Sequence, residues 1–114
     1  IEFDINLPGY KSMMGMQGGH AGEKMPKAQA IKDATMAYFI NKNRKENSVF
    51  IHYNGTYHSD NYEGISWYLR KLNDKIKIIT IAMVEQKDLG KLESENNNKA
   101  NFILVIDEDM TKSY

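Results

Sequence analysis

The sequence predicts an α/β fold: a layered, mostly parallel sheet of about three strands flanked by helices. Two observations carry this. Helix-period and strand-like segments follow one another as helix, strand, helix, strand, loop, strand. The run KIKIITIAMVE is apolar on both faces, the pattern of a strand covered by helices on either side.

The elements follow in order. Residues 1–25 are expected to form an irregular Gly/Met-rich loop or lid with one short helical turn. GYKSMMGMQGGHAGEKM holds five glycines and four methionines without a sustained period, and glycine at that density disfavours helix. Pro26 then opens a helix, PKAQAIKDATMAYFINKN, because proline at the first helical position gives up no hydrogen bond. Ala28, Ile31, Thr35, Tyr38 and Phe39 are its expected buried stripe. SVFIHY, residues 48–53, reads as a strand by its β-favouring residues.

NYEGISWYLRKL carries Ile65, Tyr68, Leu69 and Leu72 at helical spacing, with Asp60 as the expected N-cap and Glu63 reaching back to it. The apolar run from Ile76 to Val84 is the second strand. Residues 86–100 are polar, with at most a short helix at 87–92 and a solvated loop at 96–98. Phe102 to Ile106 is the last strand, followed by an acidic tail.

Composition narrows the function classes. The chain has 114 residues, 15 Lys plus Arg and 15 Asp plus Glu, so its formal charge is zero. A neutral balance argues against broad nucleic-acid binding, which needs a basic surface. No apolar run approaches the roughly 20 residues that span a bilayer. Cysteine is absent, which removes disulfides, thiolate metal sites and cysteine nucleophiles.

The stretch richest in chemistry is FIHYNGTYHSD, residues 50–60. Asn54-Gly55 is a hairpin signal, but the capped helix downstream makes it a strand-to-helix loop, the place where open α/β sheets bind ligands. Gly55 permits a tight turn or a close approach to a ligand. His58 is the candidate ligand or base, set near a helix N-terminus. His52 lies mid-strand and reads as a packing residue, and Tyr53 and Tyr57 read as half-buried aromatics. Met13, Met14, Met16 and His20 have soft-metal chemistry, although packing of the methionines is the plainer reading.

Gly55-Thr56-Tyr57-His58, with Gly64, Ile65 and Leu69 after it, resembles the second Gly-x-x-His motif of the ChaN-like haem-binding uptake family. That family is related to the erythromycin-esterase, TraB and Tiki proteins. The helix residues Gln29, Lys32-Asp33 and Met36-Ala37 resemble the family too, as does the ending ANFILVIDEDMTKSY. The resemblance covers residues 26–114. It implies the C-terminal part of a ChaN-like α/β domain, since the family's opening motif strand has no counterpart here.

The function implied is haem and iron uptake in the bacterial cell envelope, at the periplasm or the outer membrane, as an iron-regulated lipoprotein. Haem is the implied ligand, with peripheral outer-membrane association through a lipid anchor outside these residues. Site residues carried over are His58, also the metal ligand, with Gly55, Gln29 and Asp33; Tyr57 and Tyr62 join them by proximity. The alternative is a metal-dependent or histidine-based hydrolase of the Tiki or erythromycin-esterase kind, drawing on His58, His20, Asp33 and Glu85. Unpaired sheet edges also predict a homodimer.

Overall fold

The computed structural model describes residues 1–16 and 22–113. In order it holds helix α1 (Pro8–Met13), helix α2 (Lys24–Asn43), 3-10 turns at Thr56–His58 and Asp60–Tyr62, helix α3 (Ile65–Leu72) and strand β1 (Ile81–Gln86). A 3-10 turn at Ser94–Asn96 and strand β2 (Phe102–Asp107) complete it. The class is α/β as the sequence predicts, with a sheet of two strands. They run parallel, with Ile81 opposite Phe102 and Gln86 opposite Asp107.

The core lies among the helices. Tyr10 and Met13 of α1, Ala30, Ala37 and Ile40 of α2, and Ile65, Tyr68 and Leu69 of α3 form one buried cluster. Met13 is thus a packing residue. The N-terminal segment is fastened to α3: the Tyr68 hydroxyl donates to the Glu2 carbonyl at 2.7 Å, and Lys71 pairs with the Glu2 carboxylate. Glu63 does not turn back on its own helix. Its carboxylate accepts the Gly9 N–H at 2.8 Å and so satisfies a free donor in the first turn of α1. Asp60 sits in a 3-10 turn, and the residue capping α3 is Gly64, without a side-chain cap.

Helix α2 forms where the sequence places it but turns a different face inward. Lys24 starts it, with Pro26 two positions inside. Pro26, Ala30, Asp33, Ala37 and Ile40 are buried, while Ala28, Ile31, Thr35, Tyr38 and Phe39 are exposed. Both stripes have helical spacing. Small residues win the inner face because α1 and α3 pack closely there, and the bulky apolar residues are left outside.

Residues 48–53 are extended yet form no strand; Val49 is 89% exposed and Tyr53 90%. Strand propensity describes fit to a pleated, half-buried surface, and no neighbouring strand offers one here. β1 begins at Ile81, because Ile76 and Ile78 pack on the helical cluster instead. Only one face of β1 is covered: Ala82, Val84 and Gln86 are buried, whereas Ile81, Met83 and Glu85 are exposed.

The 87–101 crossover contains no helix at 87–92. Gln86 organises it instead. Its amide donates to the carbonyls of Asp88 and Lys91, and its Oε1 accepts from the Glu93 N–H and the Asn96 side chain, all within 3.0 Å. Asn96 is buried by this contact rather than solvated. The radius of gyration is 15.6 Å, above the about 13 Å of a compact chain this long. The excess fits an architecture with apolar faces left open.

Candidate functional site

Three elements converge on His58. Gln29 and Asp33 lie one turn apart on α2 and present side chains to the same spot. The 3-10 turn Thr56–His58 brings the imidazole to them, closed by the His58 N–H donating to the Gly55 carbonyl at 3.0 Å. The Asn54 side chain steadies the turn by donating to the Gly55 carbonyl and to Ser59 Oγ, each at 2.9 Å. From α1, the Tyr10 hydroxyl reaches Asp33.

Asp33 is the centre of the constellation and is 0% exposed. Its Oδ1 lies 2.5 Å from His58 Nδ1, and its Oδ2 accepts the Tyr10 hydroxyl at 2.7 Å. The Gln29 amide nitrogen sits 2.8 Å from His58 Nδ1 and 3.4 Å from Nε2, beside the ring between its two nitrogens. Burial pushes the Asp33 carboxyl above the usual carboxylate value, opposed by the His58 and Tyr10 hydrogen bonds. The Tyr10 phenol is held far above its ordinary value, first by burial and then by its bond to Asp33. With Asp33 ionised, both partners donate to it. Nδ1 then carries the ring proton and Nε2 is the acceptor nitrogen, 3.4 Å from the Gln29 amide nitrogen.

Gly64 makes the approach possible. Its φ is +55°, and a Cβ there would collide with the carbonyl of His58 and stand 3.2 Å from Asp33 Oδ2. Gly55, by contrast, has φ of −69° and open space around it. The tight turn and close approach expected of Gly55 belong to Gly64.

His58 borders an open hollow of about 340 Å³ lined by Ile31, Lys32, Thr35 and Met36, at the small end of ligand-pocket volumes. Most of its lining is apolar, with Lys32 the cationic residue. Of the residues singled out in the sequence, the structure joins His58, Asp33 and Gln29. Tyr57 is 58% exposed, and Tyr62 is half-buried with its carbonyl accepting from Arg70. Glu85 is taken by Lys112 and borders a different hollow, with Ile106 and Met110. His20 lies outside the described residues. Among the described residues no group of three or more His, Cys, Asp or Glu side chains is placed to hold a metal ion.

The arrangement is a histidine held by a buried carboxylate at the edge of a mainly apolar hollow. The chain belongs to the haem-binding uptake family, Tiki superfamily, ChaN, which it matches over residues 6–69. The match takes in Tyr10, Gln29, Asp33, His58 and Gly64, and ends before the sheet. No curated protein and no solved structure gives a significant match.

Proposed function

We propose that the chain binds haem as cargo for iron uptake, with His58 Nε2 as the protein ligand to the iron. The observation that carries the reading is the buried Asp33 carboxylate, which engages Nδ1 of a histidine that borders the hollow; in this reading Nε2 is the ligating nitrogen. A neutral imidazole with its second nitrogen bonded to a carboxylate is a strong iron donor. Ile31 and Met36 offer apolar contact to a porphyrin, and Lys32 offers a charge partner for a propionate. The family description, haem-binding uptake, supports the same ligand. In this reading the protein serves at the bacterial cell envelope as a lipid-anchored component of iron acquisition. It acts as a homodimer, because the hollow is open and Ile31 continues into the exposed stripe of Tyr38 and Phe39.

Titration with hemin tests it. Binding gives a shifted, intensified Soret band that is lost in His58→Ala and kept in Tyr57→Phe. A spectrum equal to that of free hemin overturns the reading, and monomers by light scattering with and without hemin overturn the dimer.

The Asp33–His58 pair also favours a second reading, general-base hydrolysis, since an oriented imidazole is the usual base of acyl transfer. Ester hydrolysis abolished by His58→Ala supports it; turnover equal to buffer removes it.

A further inference from the structure

We propose that a second copy of this chain covers the open face of the sheet with its helix α2, in a reciprocal twofold contact. The inference rests on the homodimer reading and assigns the surfaces that make it. The register of β1 and β2 sets Ile81 beside Phe102 and Met83 beside Leu104 on one face. All four are more than half exposed, and Ile79 before them is too. The apolar face stops at Glu85, which is ion-paired with Lys112. A parallel sheet ordinarily carries helices on both faces, because its strands are apolar on both. Here the opposite face, with Ala82 and Val84, is covered and this one is open.

The chain carries the matching element itself. Helix α2 turns Ile31, Tyr38 and Phe39 to solvent, each more than half exposed, and a helix laid on a sheet is the usual second layer of an α/β fold. The charges match as well. Exposed Lys24, Lys27, Lys32 and Lys42 edge that stripe, with Glu23 offsetting Lys27. Asp107, Glu108 and Asp109 stand exposed at the C-terminal end of β2. Helix α2 against helix α2 would set lysines together, and sheet against sheet would set acids together. Helix against sheet brings opposite charges together, and a formal charge of zero lets two copies meet without net repulsion. At roughly 100 Å² of open surface for each large apolar side chain, the two faces present about 800 Å² per copy, the area per partner of a standard specific interface. A twofold axis uses both faces of both copies, so the assembly closes at two.

The test is sedimentation velocity of the full chain and of two variants at exposed positions, Tyr38→Glu and Leu104→Lys. The unaltered chain is a dimer. Each variant alone dimerises about a hundredfold more weakly, since both contacts then bury a charge against an apolar face. Mixed in equal amounts the two variants dimerise again, because one contact is intact and the other sets Glu against Lys. Pairing of helix with helix, or of sheet with sheet, gives no such recovery. Dimers unaffected by both substitutions, or no recovery on mixing, overturn the inference alone. Monomers of the unaltered chain overturn the homodimer reading and the inference with it. If a variant does not fold, carbodiimide cross-linking of the unaltered chain decides. Links from a lysine of α2 to Asp107, Glu108 or Asp109 of a second, isotope-labelled copy support the inference, and a cross-linked dimer without them overturns it.

Discussion

The carbonyl of His58 stands where a Cβ on Gly64 would have to go, so no side chain fits there. One glycine thereby seats the loop that carries the imidazole and starts α3 at a positive φ that L-residues rarely adopt. Gly64→Ala is expected to destabilise the fold by about 2–4 kcal/mol, from the left-handed backbone and the collision together. It should also weaken hemin binding by displacing His58. Gly55→Ala, at an ordinary φ in open space, is expected to be neutral or to stabilise by about 0.4–1 kcal/mol. Urea unfolding of the pair reads both signs; equal losses would contradict the assignment.

The orientation of α2 makes a second contrast. Ala37 is fully buried whereas Phe39 is half-exposed. Ala37→Leu should cost about 1–3 kcal/mol by overpacking against α1 and α3. Phe39→Ser should change monomer stability by no more than about 0.5 kcal/mol. Thermal unfolding at low concentration separates these outcomes, and a larger loss in Phe39→Ser would place the wrong face inward.

Gln86 holds four partners in the crossover, so Gln86→Ala leaves the Glu93 N–H and the Asn96 amide without their acceptor. A loss of about 2–4 kcal/mol is expected, since each abandoned buried group costs on the order of 1–3 kcal/mol. Amide exchange should quicken through residues 87–101 and stay unchanged in α2 and α3. Uniform quickening would refute a local role.

Glu63 gives a pH dependence. Burial raises its carboxyl above the ordinary 4.5, with the Gly9 N–H pulling partly back. A carboxyl raised on folding holds its proton to a higher pH when folded than when unfolded. Its contribution is present at low pH and lost as pH rises from 4.5 toward the raised value. Asp33 and Asp60 are raised by burial in the same direction. Stability should therefore fall as pH climbs from about 4 through the raised values, and Glu63→Gln should flatten that slope. A slope unchanged by the substitution would remove Glu63 from it.

Much of the candidate site was legible in the sequence, though Tyr10 and Gly64 were not. His58 stood out as a histidine on a loop before an amphipathic helix, and Gln29 and Asp33 entered through family resemblance. Tyr10 gave no signal, because it lies 23 residues before its partner Asp33 in a segment without a period. Gly64 had one: a glycine immediately before a strongly amphipathic helix marks a cap, and Gly55, beside Asn54, drew attention away from it. The cap box at Asp60 and Glu63 was a local pattern overruled by a distant donor, the Gly9 N–H.

The sequence by itself determined the helices α2 and α3, the strand β2, the absence of thiol chemistry and the candidacy of His58. These depend on local period, composition and residue chemistry. Tertiary structure decided which stripe of α2 turned inward, left residues 48–53 unpaired and put Tyr10 and Asp33 behind the imidazole. The physical reason is that a helical period fixes spacing but not direction, and a strand needs a neighbour to pair with. A buried carboxylate likewise takes its character from the groups that fold against it.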